Sequence, residues 1–490
     1  MGLCSMPYED LRHFIRDLEE HNLFRWVDAE VDKDWEISAV TRMYFRRVPK
    51  ETRGALGFRN IKGWPGHRLV VGTVGGGVRV YHRALGIEGG FDAVNRKWRE
   101  ALTRPIPAVP TDGDAPCQEV VRMGEEADLH LFPIPTWTPR KDPGPFLTSP
   151  CLVTKDRGTG VVNVGVYRME VKGPRKTGVL WDLPSQHGAV HFAAYEAASE
   201  PMPMAVVLGV EPTILMGAVA KAPMGFDEFA IAGGLRGAAV ELVKCKTVDL
   251  EVPARAEVIL EGHVPPHVRE REGPFGEYTG YMGGPYEMAV FEIDCITHRK
   301  DALHQSFFSQ MPPSESSLIR AIPEEAHIYK HLAQDLRIPG IVDVHLPEAG
   351  GSYSICWVRM KQAYPGQAQQ VLSAAWTHHP AFAKWIIVTD EDVDIRDPFQ
   401  REWALAWRVQ PHRDIFTIPN TAPVLLDPSA GRHEEGLWER RSSKILIDAT
   451  KPWPDFPDIS LPPQKYLDRV AEEWERYGLT DASEPAGENP

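Results

Sequence analysis

Between residues 118 and 300 the chain never keeps one hydrophobic period for long. Short β-patterned runs at 152–154, 161–167, 205–210, 256–260 and 290–296 are separated by Gly- and Pro-containing turns. Strands this short, joined by turns, can bury an apolar face only by pairing with one another and curling. The expectation is a barrel-like β domain, interrupted by one helical pattern over 227–243.

The flanks read differently. Residues 8–21 place Leu11, Phe14, Ile15 and Leu18 on one helical face. A strand at 23–27, a helix carrying Ile37, Val40, Met43 and Tyr44, and a strand at 67–71 follow. Gly72, Gly75, Gly76 and Gly77 then form a cluster ordered G-x-x-G-G-G, not the G-x-G-x-x-G of a dinucleotide loop. Four prolines mark 105–117 as a linker. Beyond 300, helices at 318–336 (with a break at Pro323), 367–376 and 399–407 alternate with strands at 341–346 and 385–389, the pattern of an α/β layer. A charged helix at 466–477 precedes a polar, acidic tail expected to be disordered. The fold class expected is therefore multidomain α+β/α/β. The domains would be an N-terminal α/β domain and linker at 1–117, a central β domain at 118–305, a C-terminal α/β domain at 306–460, and a terminal helix and tail at 461–490.

Composition excludes several functions. The net charge is −14, which disfavours a nucleic-acid partner. No apolar run approaches the ~20 residues of a membrane span. The N-terminus lacks the basic and apolar segments of a signal peptide, so a cytoplasmic protein is expected. Six scattered cysteines with no C-x-x-C read as reduced thiols, not as a disulfide frame or zinc knuckle.

Four stretches offer chemistry. Glu272 and Glu277 bracket a Gly-Pro-Phe-Gly turn, where proline and glycine oppose a helix and fold the chain back. Two carboxylates so placed repel, and one is pushed toward keeping its proton, as general-acid chemistry requires. The plain alternative is a solvated turn. In 161–168, Asn163, Gly165 and Tyr167 fall on one strand face and Arg168 on the other, unless a twist or bulge near Gly165 unites Asn163 with Arg168. Gln186 and His187 follow an expected strand at 179–181. Glu228 opens the 227–243 helix, where it could equally serve as a capping charge. Asn163, His187 and Glu228 together would make a ligand set suited to Mn²⁺ or Mg²⁺. His263 and His267 have helical metal spacing, but Pro265 and Pro266 lie between them, so both read as loop residues.

Taken together, N-V-G-V-Y-R (163–168), P-S-Q-H (184–187), F-D-E (226–228), the segment 241–254, E-G-P-F-G-E (272–277), V-T-D-E-D-V-D (388–394) and S-S-K-I-L-I-D-A-T (442–450) resemble the UbiD family of decarboxylases over nearly the full length. The resemblance implies a prenylated FMN cofactor, a divalent metal (Mn²⁺ or Mg²⁺) and K⁺, held in a split β-barrel of the flavin-reductase type. It implies metal ligands Asn163, His187 and Glu228, and a catalytic set of Arg168, Glu272 and Glu277. Cofactor contacts would come from Asn163, Val164, Gly165, Val166, Tyr167, Arg168, Gln186, His187 and Glu228. His378 joins them, because a phosphate-binding Lys of some relatives falls near His378 or His379. Lys444 matches a family Lys. Potassium would lie near 217–220, with Glu228 shared. Tyr278, Tyr281, Met282, His304, Gln305, Gln310, Met311, Pro423 and Leu425 would wall the substrate.

The reaction implied is reversible, non-oxidative decarboxylation of an aromatic, heteroaromatic or α,β-unsaturated acid. Arg168 would orient the carboxylate and Glu277 would donate the proton. A UbiX-type flavin prenyltransferase would supply the cofactor, and the chain would form a homodimer or higher homo-oligomer. Two rivals are a catalytically silent subunit of a carboxylase assembly and a flavin-free, metal-dependent hydrolase.

Overall fold

The computed structural model describes residues 7–111, 113, 115–181, 186–220, 223–424, 426–431 and 440–478. The described residues up to 449 form one compact unit, and those from 450 onward a second. In the second, Gln464–Glu472 is helical, followed by a turn of 3-10 helix at Trp474–Tyr477. The expected disordered tail at 483–490 lies outside the described residues.

Three sheets organise the first unit. The N-terminal sheet runs Phe24–Val27, Ala55–Phe58, Arg68–Val71, Leu303–Ser306. Its last strand comes from far along the chain and pairs in parallel with Arg68–Val71, so the expected boundary at 305 falls inside a strand of this layer. The C-terminal sheet runs Ile341–His345, Ile355–Met360, Trp385–Asp390, Ser442–Ala449, Ile415–Thr421. Both sheets are covered by helices, as mixed sheets with two apolar faces require.

Between them lies an antiparallel sheet. Its order is Phe146–Leu147, Met169–Gly173, Lys176–Gly178, Val290–His298, Val258–Val264, Met202–Leu208, Cys151–Lys155, Val162–Val166, with Val120–Met123 paired to Val290–His298. Strand Val162–Val166 is at one edge, while Met169–Gly173 is one strand from the other. Only Tyr167 and Arg168 join them. Three Cα steps of about 3.8 Å reach at most about 11 Å. The sheet must therefore curl until its edges almost meet, leaving an open seam. Leu152, Met169, Met204, Val206, Leu260, Phe291 and Ile296 fill the inside.

Several expected boundaries move. The helix expected over 227–243 is Glu228–Arg236, ended by Gly237 at φ 77°, and Glu241–Lys244 is a strand. The strand expected at 179–181 stops at Gly178. Pro323 does not break its helix: Glu315–Lys330 is continuous, and a π turn at His331–Asp335 follows. Leu318, Ala321, Ala326 and Ile328 are buried around the proline, and this packing outweighs one lost hydrogen bond. His263 lies on strand Val258–Val264 rather than in a loop, with Asp294 at 3.1 Å and Glu292 at 3.4 Å. His267 turns away at φ 60° toward Ser199.

The glycine cluster holds no open phosphate cradle. The N–H groups of Gly72, Val74 and Gly75 donate to the Glu315 carboxylate at 2.9–3.2 Å, and Phe308 N–H adds a fourth donor at 3.3 Å. The anion is intramolecular. A Cβ on Gly75 would lie 2.2 Å from the Glu315 carbonyl oxygen, so glycine here allows close backbone packing.

Candidate active site

Arg168 sits in the seam because the chain crosses there. Its Nε and Nη2 donate to the two oxygens of Glu272 at 3.0 and 2.8 Å, and Nη1 donates to Glu277 Oε1. The guanidinium lies 5.2 Å from the ring centre of Phe275 and 6.0 Å from that of Phe146. Burial works against its charge, but Glu272 and Glu277 outweigh burial and hold the group firmly cationic. Three of the five N–H groups of a guanidinium are thereby engaged, and two remain for a planar anion.

The fold-back at 272–277 forms as expected. Strand Glu270–Glu272 ends at Gly273, at φ 79°, and Phe275–Gly276 pairs with Met282–Gly283. Gly273 N–H donates to Glu170 Oε2 at 2.8 Å, which ties the turn to the strand after Arg168. A Cβ on Gly283 would stand 2.8 Å from Glu277 Cγ, so that glycine makes room for the carboxylate. The two acids are unequal: the Glu272 side chain is fully buried and that of Glu277 is 15% exposed.

In the expected metal set, Glu228 comes close to His187 and to the backbone beside Asn163. Glu228 is the first residue of its helix, with Asp227 as the cap. Glu228 Oε2 accepts the Val164 N–H at 2.9 Å, and Oε1 is 3.6 Å from His187 Nδ1, on the first residue of helix His187–Ala197. Asn163, beside Val164, is buried and donates from Nδ2 to Thr154 Oγ1 at 3.4 Å. Thr154 in turn lies 3.0 Å from His191 Nδ1, on the same helix as His187. Burial pushes the Glu228 carboxyl up to about 7, against the Val164 N–H. A buried acid with one imidazole and a neighbouring amide is a donor set a hard divalent cation fits, and a cation would relieve that burial cost.

Some of the other expected residues flank this set and others lie apart from it. Val164 is buried and Val166 half-buried on their strand. A Cβ on Gly165 would meet the Tyr167 ring at 2.5 Å. Gln186 occupies the N-cap position of the His187 helix without a side-chain capping bond; Pro184 and Ser185 lie outside the described residues. His378 is paired through Nε2 with Glu324 at 2.8 Å. His304 and Gln305 are not a substrate wall. Both are buried in the N-terminal sheet, and Gln305 bonds Thr73 and the Val210 N–H. Tyr278 carries the Arg320 guanidinium 4.0 Å above its ring, Gln310 bonds Thr138, and Tyr281 and Met311 are exposed. Leu425 lies outside the described residues. Lys444 is buried, donating to the carbonyls of Phe382 and Ala383 (2.9 Å to the latter). Gly217 packs on Glu228, where a Cβ would come within 2.8 Å of the Glu228 carbonyl oxygen.

Sequence reasoning missed Thr154, His191, Glu170 and Phe146. None belongs to a motif: Thr154, Glu170 and Phe146 meet the site through strand pairing or sheet curl, and His191 one turn beyond His187 on the same helix.

Three family models match this chain. The 3-octaprenyl-4-hydroxybenzoate carboxy-lyase N-terminal domain matches residues 15–96, the Rift-related domain 109–312 and the C-terminal domain 317–449. An uncharacterized protein of Archaeoglobus fulgidus is 35% identical, over 93% of this chain and 95% of its own. The UbiD-class enzyme HmfF from Pelotomaculum thermopropionicum, solved with FMN, superposes with a TM-score of 0.81. It is 33% identical, over 94% of this chain and 99% of its own. An evolved dimeric form of that enzyme, solved with prFMN, gives a TM-score of 0.78 at 32% identity, over 93% and 98%. The Sedimentibacter hydroxybenzoicus vanillic acid decarboxylase gives 0.78 at 29% identity, over 96% and 99%. With three consecutive domain models matched and full-length structural relatives of the same class, this chain belongs to the UbiD family of carboxy-lyases.

Proposed function

We propose that this chain catalyses reversible, non-oxidative decarboxylation of an aromatic, heteroaromatic or α,β-unsaturated carboxylic acid, with prenylated FMN as cofactor. The observation that carries this reading is Arg168, held in the seam between Glu272 and Glu277. A fixed guanidinium with two unused N–H groups receives a carboxylate in planar, bidentate fashion. The aromatic floor of Phe146 and Phe275 keeps water from its far side. Glu277, the more exposed acid, delivers the proton to the carbon that has lost CO₂, and takes it back in the carboxylating direction. Glu272 holds Arg168 charged and in place. Bound prenylated FMN would supply the electron sink for decarboxylation.

Asn163, His187 and Glu228 would hold a Mn²⁺ or Mg²⁺ ion, and this cation would neutralise the cofactor phosphate. The backbone of 164–167 and Gln186 are the further cofactor contacts in this reading, while His378, paired with Glu324, is not one of them. K⁺ would sit by 217–220 against Glu228. The curled central sheet serves as a split barrel of the flavin-reductase type. The cofactor comes from a UbiX-type prenyltransferase, and the protein works in the cytoplasm as a homodimer or larger homo-oligomer. No helix among the described residues is long and apolar enough to cross a membrane.

The test is to co-express the chain with a prenyl-FMN synthase and screen aryl and acrylic acids for CO₂ release. Turnover should appear with the cofactor, and Glu277→Gln should keep cofactor and metal while losing turnover. Full activity of a colourless protein, or of the Glu277→Gln variant, would sink the reading.

A further inference from the structure

We propose that Glu324, His327 and His378 form a second cation site, for Zn²⁺, which clips the turn after helix Gln367–Trp376 to the long helix Glu315–Lys330. Glu324 and His327 are three residues apart on that helix and so share a face. His378 approaches from the turn: its Nε2 is 2.8 Å from Glu324 Oε2, and its ring meets the His327 ring edge-on with centroids 4.7 Å apart. One ligand atom from each of the three lies within 4.8 Å of the other two.

The chemistry selects the ion. Two imidazoles and one carboxylate, with a fourth position open, are a zinc donor set, whereas the amide and carboxylate oxygens of Asn163 and Glu228 favour a harder cation. Ligand atoms around tetrahedral zinc stand about 3.3 Å apart, given bonds of about 2.0 Å. The Glu324–His378 pair is already closer than that. A rotation of His327, which is exposed, brings in the third ligand. His331, four residues further along, has its ring 6.4 Å from that of His378 and can complete the set in place of water.

A simple ion pair would explain Glu324 and His378 but gives His327 no part. The loop is also built to hold its ligand. Lys444 anchors the carbonyls of Phe382 and Ala383 from below, and the Phe382 ring packs 5.2 Å from His378. A preformed ligand on a fixed turn loses little freedom when an ion binds.

The experiment uses the full chain with its cofactor, first saturated with Mn²⁺ and then dialysed against micromolar Zn²⁺, with zinc counted per chain. Wild type should retain one zinc, the double variant His327→Ala with His378→Ala none, and His187→Asn one. Co²⁺ in place of Zn²⁺ should give a tetrahedral visible band in wild type and not in the double variant. The proposal fails if wild type retains no zinc, if the double variant keeps it, or if His187→Asn alone loses it. Should His378→Ala not fold, the exposed His327→Gln carries the test: zinc affinity must fall at least tenfold, and an unchanged affinity overturns the site.

Discussion

Glu272 receives Arg168 side-on through both oxygens, at 3.0 and 2.8 Å, with no part of its carboxylate in contact with solvent. Such a pair depends on the planar fork rather than on charge alone. Arg168→Lys keeps the charge but can no longer hold Glu272 with two parallel bonds and present a second pair of N–H groups. Charge-assisted contacts of this kind contribute about 1.5–3 kcal/mol, so kcat/KM should fall about 10- to 100-fold. Glu272→Gln leaves a buried cation half-paired and should also lower unfolding stability by about 3 kcal/mol. Steady-state CO₂ release and urea unfolding check the two effects separately. A lysine variant with wild-type kinetics would mean that the fork does not orient the substrate.

Thr154 fixes which end of the Asn163 amide points away from the strand pair. It accepts from Asn163 Nδ2 and lies 3.0 Å from His191 Nδ1. With Nδ2 so engaged, Asn163 Oδ1 is the atom that would face the proposed cation. Thr154→Val keeps the shape and removes this tie. Outer contacts of this kind change metal affinity by about 10- to 100-fold, so Mn²⁺ titration followed by electron paramagnetic resonance should show weaker binding with an unchanged melting temperature. Equal affinity would mean that the amide is held by other means.

What the sequence reveals about this site follows from how local each feature is. The turn at 272–277 is readable because proline and two glycines dictate a fold-back within six residues. Gly237, which ends the Glu228 helix at φ 77°, is a local signal of the same kind, and the expected extension to 243 passed over it. Asn163, His187 and Glu228 have no spacing that joins them; only the combined motifs of the family resemblance did. Thr154 is opposite Asn163 because strands Cys151–Lys155 and Val162–Val166 pair in that register, and a one-residue slip would send it to the other face. The position of Arg168 in the seam depends on sheet order, in which two residues join one edge strand to the strand beside the opposite edge, and no local pattern encodes that. His304 and Gln305 read as polar wall residues because nothing nearby announces that Leu303–Ser306 returns to the N-terminal sheet.

His304 gives that sheet a pH dependence. It is 2% exposed, neither ring nitrogen has a hydrogen-bond partner among the described residues, and burial, with a smaller contribution from His67, pushes it down to about 4. The folded state therefore favours the neutral ring. Its contribution is fully present above the unfolded value of about 6.5 and is lost as pH falls toward 4, by up to about 3 kcal/mol. His304→Leu should flatten this part of the acid limb. Urea unfolding of both proteins at pH 7 and pH 4.5 measures the difference, and parallel losses in the two would show that other groups carry the acid sensitivity.

Lys444 is a buried charge with an architectural explanation. Its ammonium faces the carbonyls of Phe382 and Ala383 and lies 5.6 Å from the centre of the Trp376 ring. Burial pushes its pKa down to about 8, so it is still mostly charged at neutral pH. Carbonyls and an aromatic face stabilise a cation less than a carboxylate does, which leaves the loop bonds as its main return. Lys444→Met fills the same volume and removes both bonds, each a charged-donor bond of about 1.5–3 kcal/mol. Relief of the buried charge offsets part of that, so the net loss should be about 1–3 kcal/mol. Hydrogen exchange should rise first in the turn at 377–384, ahead of the strand Trp385–Asp390. A variant as stable as wild type, with an unchanged exchange pattern, would remove Lys444 as the anchor of the turn that carries His378.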